Sequence, residues 1–324
     1  MRFGTMVPQG WKMDLVGVPD GDQWGRIAST AAAIEAAGWD SLWVYDHFHT
    51  HPVVAQESTF EAWTLMGALA VATERVRIGQ MCTCIPYRSP SLLGKMAVSV
   101  DAISGGRLNV GIGAGWSHGE FAAYGYDYPS NKVRLDMLEE AAQVLKAMWT
   151  SDEAYFDGDH YTLAGAITRP KSIQQPHPPL WIAGGGEKRT LRIVAKHGDF
   201  SNFAGKIETF KHKSEVLAGH CEAVGRDFEE IGRTRHTMAV IGRDRADLDS
   251  KLEVAARRRD TTPEQFEEKF FAATVDQAVD AVGEFLEAGC AEMIFYFHDM
   301  GEGDSQELFA AEVIPQFREN QGTT

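Results

Sequence analysis

Residues 76–112 read VRIGQMCTCIPYRSPSLLGKMAVSVDAISGGRLNVGI. This stretch decides the fold. Val76–Cys82 is a short run rich in residues that favour extended backbone. Pro90–Ser104 is a helix, with Pro at its first position and Gly105-Gly106 just past its end, the usual asymmetry of helix termini. Leu108–Ile112 is a second apolar run. Strand, helix and strand in this order form one parallel β/α/β unit.

The same unit recurs in both directions along the chain. Upstream, Arg2–Val7 and Asp40–Tyr45 are strands, and Trp24–Ala37 and Ser58–Thr73 are helices. Downstream, Arg134–Trp149 is the clearest helix, with Leu135, Leu138, Ala142, Leu145 and Trp149 at spacings of three and four. Leu180–Ala183, Asp199–Phe203, Thr237–Ile241 and Glu292–Phe297 complete eight strands. Lys188–Lys196, Ile207–Val224, Gln277–Ala288 and Ser305–Arg318 are the helices between and after them. Eight such units close a (β/α)8 barrel of the TIM type. The 324 residues exceed a minimal barrel of ~250. The surplus falls at 116–132, 151–179 and 244–274, the second with a hairpin pattern around Asp157-Gly158. No low-complexity linker divides the chain, so one domain over 1–324 is expected.

Composition narrows the function. The chain has 31 Lys+Arg against 46 Asp+Glu, a net charge of −15. Nucleic acid and anionic membrane are therefore not expected as partners. No apolar run reaches the ~18 to 20 residues of a spanning helix, and the N-terminal residues do not read as a signal peptide. Four cysteines make no disulfide framework, which suits a reducing cytoplasm. Exposed apolar helix faces point to a homodimer.

In such barrels the chemistry lies at the C-terminal ends of the strands. The second strand runs into Asp46-His47-Phe48-His49-Thr50-His51. His47 can take or give a proton near neutrality, and Asp46 can orient it. The H-x-H-x-H spacing also allows a metal, with His298 and Asp299 beyond the eighth strand as further ligands. The third strand ends in Cys82-Thr83-Cys84, and the fourth in Gly113-Ala114-Gly115-Trp116. There glycines let a ligand approach the backbone, and His118 and Glu120 follow as possible pocket walls. The fifth strand opens into Gly184-Gly185-Gly186 before a helix, whose free N–H groups suit a phosphate. Lys188, Arg189, Arg192 and Arg88 are the cations available to an anionic ligand.

Taken in order, several segments resemble the luciferase-like monooxygenase superfamily, most closely its coenzyme F420-dependent oxidoreductases. They are Phe3-Gly4, Asp46-His47, the run from Glu61 through Gly79, Ile103–Leu108, Gly111–Trp116, Pro179–Gly186 and Gly198–Asn202. The resemblance implies a deazaflavin lying across the barrel mouth. Cys82, Thr83 and Cys84 would support its ring, with a cis peptide or bulge between Cys82 and Ile85. Gly113, Ala114, Gly115, Trp116 and Gly184–Gly186 would flank its phosphate-bearing tail. His47 would act on a substrate hydroxyl, and Phe48, His51, Tyr87, Trp116 and Phe203 would wall a small-molecule pocket. Sugar-phosphate dehydrogenases of this branch carry an acid where Trp116 stands and a tryptophan near His51; both departures point to another substrate. An FMN-dependent monooxygenase served by a separate flavin reductase is the alternative, and a metal-dependent hydrolase a remote one.

Overall fold

The computed structural model describes residues 1–318. Eight strands pair in parallel and close on themselves: Arg2–Met6, Ser41–Val44, Arg77–Gln80, Leu108–Gly113, Leu180–Ala183, Phe200–Phe203, Gly232–Gly242 and Cys290–Phe297. The first pairs with the eighth, Gly4 opposite Ile294, and so closes the ring. The sequence alternation is thus a (β/α)8 barrel, with helices on its outer surface. Among the described residues, no helix is long and apolar enough to cross a membrane.

The barrel interior is filled in layers, as this fold requires. At the bottom, Glu292 accepts from Ser41 Oγ at 2.5 Å and pairs with Arg2 at 2.9 Å. Above it, Trp43 meets Trp181 edge to face at 4.8 Å, and Trp181 stacks on Phe200 at 4.3 Å. Gly79 is what makes room for Trp43, since a Cβ there would collide with the indole ring. The top layer holds Met6, Trp11, Tyr45, Met81 and Tyr296. It forms the floor of the mouth.

Three stretches between the barrel elements carry structure of their own. Residues 116–132 carry a short helix, His118–Ala123. Residues 151–179 begin with an antiparallel hairpin, Glu153–Asp157 with Thr162–Ile167. Residues 244–274 form helices Arg245–Arg259 and Pro263–Lys269, then a strand, Phe271–Thr274, that the sequence reading missed. It pairs with the upper end of the seventh strand, outside the closed ring. The seventh strand itself starts at Gly232, five residues earlier than expected. Its early half is polar yet turned to protein: Arg235 lies over the Phe285 ring at 4.4 Å, and His236 binds the Tyr45 hydroxyl at 2.8 Å. The expected last helix is α-helical only over Ser305–Leu308. It widens into a π turn and then a 3-10 turn around Pro315, which has no N–H to give to the preceding turn.

Candidate active site

A cavity of about 760 Å³ opens at the C-terminal mouth of the barrel. Its walls bring together Asp46, His47, Cys82, Cys84, Tyr87, Gly113, Ala114, Gly115, Trp116, Gly184 and Gly186, from four separate strand ends. These residues, read from the strand-end rule, thus share one cavity. The rule did not assign every role.

His47 is held on two sides. Its Nδ1 lies 2.5 Å from Glu120 Oε2, and its ring stacks on Trp11 with centroids 3.8 Å apart and planes 6° from parallel. Glu120 comes from the short helix of the first insertion and is 1% exposed. It also accepts from the Phe48 N–H at 2.8 Å and from the Tyr87 hydroxyl at 3.4 Å. Burial pushes its carboxyl up, but the hydrogen bond and charge of His47 and the Phe48 N–H outweigh this and hold it below the usual carboxylate range. An ionised carboxylate can only accept, so Nδ1 carries a proton in either state of the ring, and in the neutral ring Nε2 is the acceptor.

Asp46 does not orient His47. Its carboxylate takes both ends of the Arg88 guanidinium, at 2.5 and 2.9 Å, and accepts from the Cys84 N–H at 2.7 Å. It clamps the backbone after the third strand. Arg88 is accordingly not free for an anionic ligand. Arg189 is also committed, to Asp136 at 2.5 Å. Of the cations at the glycine turn that line the cavity, Lys188 is in no ion pair among the described residues.

The third strand breaks just ahead of the Cys82–Ile85 stretch where irregularity was expected. Strand pairing stops at Gln80 and resumes at Thr83, and the cis peptide is Met81–Cys82, one bond before the expected range. Cys82 and Cys84 point toward the fourth strand. A Cβ on Gly113 would strike Cys82 Sγ, and one on Gly115 would strike Cys84 Sγ. These glycines thus serve close packing as well as ligand access. Burial pushes the Cys82 thiol up to about 12, with the Asp46 charge adding to it, and Cys84 higher still. Both are neutral thiols, which removes a thiolate role. Thr83 faces away from the mouth, its hydroxyl bonded to Gln80 Oε1 and accepting from Trp63 Nε1.

The remaining expected wall residues divide. Tyr87 and Trp116 line the cavity, and Trp116 presents its edge to His47 and His51 at 5.6 and 5.9 Å. His51 lies at the rim beside Trp11. Phe48 packs outward on Tyr87 and Tyr124 instead of facing the cavity. Phe203 is buried against Phe210 beneath the glycine turn. Gly185 directs its Cβ position toward Phe203 and Lys213, away from the cavity. Among the described residues, no three His, Cys, Asp or Glu side chains converge as a metal site. Trp11 and His236 line the cavity but were not expected. Trp11 follows the strand-end rule, on the loop after the first strand, whereas His236 reaches the cavity from the early half of the seventh strand.

Comparison with known proteins places this geometry in context. A family model described as luciferase-like monooxygenase matches residues 1–291. An F420-dependent glucose-6-phosphate dehydrogenase of Amycolatopsis mediterranei is 30% identical, over 90% of this chain and 94% of its own. An FMNH(2)-dependent dimethylsulfone monooxygenase of Pseudomonas putida is 34% identical, over 55% of this chain and 52% of its own. A solved F420-dependent secondary alcohol dehydrogenase, in complex with an F420-acetone adduct, shares the fold, with a TM-score of 0.80 and 24% identity across 98% of this chain and 99% of its own. The match runs through the same strands that build the mouth, and the chain belongs to the luciferase-like monooxygenase family.

Proposed function

We propose that the protein is an oxidoreductase that uses coenzyme F420 to move a hydride to or from a small organic substrate. The observation that carries this is the His47–Glu120 pair, opening onto a cavity with a thiol-and-glycine wall on one side and a glycine turn on the other. The relative matched over nearly the whole chain is named for F420, which favours it over FMN.

The residues present fit the cofactor. Met81, Cys82 and Ala183 give an uncharged surface for a flat ring. Gly184 has φ +115°, a conformation glycine adopts readily, and with Gly186 it brings bare backbone to the cavity before the helix Thr190–His197. The Gly184 N–H is already given to the Asn202 carbonyl at 2.8 Å, so the Gly186 N–H, with Lys188, would hold the phosphodiester. Bound there, F420 supplies a two-electron hydride carrier. The chain supplies placement and a proton path. His47 Nε2 takes the proton of a substrate hydroxyl during oxidation, or returns it to a carbonyl during reduction. Glu120 fixes the tautomer and steadies the imidazolium that forms. Trp11 holds the ring plane, and Tyr87 and Trp116 exclude water from the reacting carbon.

Trp116 stands where sugar-phosphate dehydrogenases have an acid, but Glu120 brings a carboxylate to His47 from four residues further on. The departure at His51 is what remains against a sugar-phosphate substrate. A second reading, FMN-dependent monooxygenation, rests on the likeness to the dimethylsulfone enzyme over part of the chain. We further infer a single-domain cytoplasmic homodimer, paired through exposed apolar positions such as Val71, Leu92 and Ile103 on neighbouring outer helices.

The test is an anaerobic absorbance assay with F420 and a panel of alcohols and carbonyls. His47→Ala should lower turnover by ~10² to 10⁴-fold, the span of general acid/base catalysis, with F420 affinity little changed. Oxygen consumption with reduced FMN and no F420 turnover would favour the second reading. Wild-type turnover in a folded His47→Ala enzyme would remove His47 from the mechanism.

A further inference from the structure

Around Trp11 and Tyr45 the mouth has more cationic than anionic charge. Lys12, on the loop after the first strand, is 2% exposed, with Nζ 3.5 Å from the Trp11 ring centroid and 5.9 Å from that of Tyr45. Arg259 ends the helix Arg245–Arg259, and its Nη1 is buried with no hydrogen-bond partner. Neither cation takes part in an ion pair among the described residues, whereas their neighbours Arg257 and Arg258 both pair with Glu302. His298 is 1% exposed, and both of its ring nitrogens lack a partner.

Of the nearby acids, Asp14 is occupied, while Asp299 keeps one buried oxygen, Oδ1, without a partner. Asp14 accepts from the N–H groups of Gln9 and Gly10 at 3.0 and 2.6 Å and from the Tyr296 hydroxyl at 2.9 Å. Asp299 Oδ2 serves the Ser305 N–H at 3.1 Å. The charge left over is felt by every basic group there. Burial lowers Lys12 first and the Arg259 charge next, while burial, Lys12 and Arg259 bring His51 down to about 4. His236 falls to about 3, again by burial and then Lys12. A buried cation or polar group without a partner is costly. A chain of net charge −15 has carboxylates in excess, yet places none against these two.

We propose that the space between Trp11, Lys12, Tyr45, His236, Arg259 and His298 receives the carboxylate of the substrate, which is therefore a small organic monoanion. Trp11, Tyr45 and His236 line the same cavity as His47, so one molecule spans both. With Lys12 kept protonated by the bound carboxylate, Lys12 and Arg259 set against Asp14 leave about one positive charge, which matches a monoanion better than a phosphate dianion. This rests on the oxidoreductase reading for what happens at the other end of the molecule, but anion binding needs only this chain.

The test is calorimetric titration of the cofactor-free protein with matched pairs of two to six carbons, such as lactate against lactamide and 2-hydroxybutyrate against its amide. F420 affinity is measured separately by fluorescence. The carboxylate of a pair should bind at least about tenfold more tightly than its amide, as a charge-assisted contact implies. Lys12→Met and Arg259→Met should each abolish that preference, and Lys12→Arg should keep most of it, with F420 affinity unchanged throughout. Equal binding within pairs, binding of neither member, or a preference that survives in folded Lys12→Met or Arg259→Met would overturn the proposal. Failure of F420 to bind while carboxylate preference persists would instead defeat the cofactor reading and leave this one standing. Should Lys12→Met not fold, Arg259→Met and Lys12→Arg decide the matter.

Discussion

Replacing Glu120 by Gln tests the proton path at its most specific point. The side chain keeps its shape, and its carbonyl oxygen can still accept the Phe48 N–H bond, now 2.8 Å. Its NH2 group then faces His47 Nδ1, across the present 2.5 Å contact. A donor there turns the imidazole to the other tautomer, with the proton on Nε2. The nitrogen that should accept the substrate's proton becomes a donor. Turning the amide over restores the tautomer but sacrifices the Phe48 bond. In either case the imidazolium loses its carboxylate. A hydrogen bond to a charged group contributes about 1.5 to 3 kcal/mol. Losing it in the transition state lowers turnover by roughly 10- to 150-fold. The assay is anaerobic steady-state turnover, with F420 affinity measured in parallel. Wild-type turnover in a folded Glu120→Gln enzyme would refute the reasoning, because His47 would then act without its partner.

Three further outcomes follow from the same geometry. Asp46→Asn should be mainly a stability lesion: it breaks a pair whose members are 1% and 10% exposed, at a cost of about 3 kcal/mol. Thermal unfolding should show a clear drop, while turnover per folded molecule stays close to wild type. At the glycine turn, Gly186→Asp should weaken F420 binding strongly, because it places charge at the cavity wall and crowds Thr190, whereas Gly185→Ala finds its nearest neighbours at an ordinary 3.5 Å and should leave affinity unchanged. Fluorescence titration distinguishes the two. Cys82, held at about 12, is thiolate at pH 8 in only about one part in 10⁴; iodoacetamide should leave it intact in the native protein and modify it after unfolding, as read by mass spectrometry.

The fold was legible because each barrel strand is a compact apolar run bounded by glycine, proline or charge. Leu180–Ala183 and Cys290–Phe297 are examples, buried on both faces as parallel strands are. The early seventh strand was missed because its polar residues find partners only in three dimensions: Arg235 on aromatic rings and His236 on Tyr45. The Phe271–Thr274 strand was missed because its four residues stand between helices inside an insertion and pair only outside the ring. At the site, His47 and the glycine turn could be read from position alone. The role of Asp46 was misread because adjacency in sequence suggested contact, whereas alternation along the backbone sends neighbouring side chains to opposite sides. Its partner Arg88 lies 42 residues on, and the acid that serves His47 lies 73 residues on. The one sequence signal for Glu120 was an acid in the first turn of a short helix just past the fourth strand. Lys12 carried a similar signal, an isolated base beside a tryptophan on a strand-end loop.

The central claim, that this mouth is built for a deazaflavin, is tested most directly by equilibrium binding of F420 and FMN to the same preparation under anaerobic conditions. The account expects saturable F420 binding at least about tenfold tighter than FMN, weakened by Gly186→Asp and unaffected by His47→Ala. Tight FMN binding with no saturable F420 binding would contradict it.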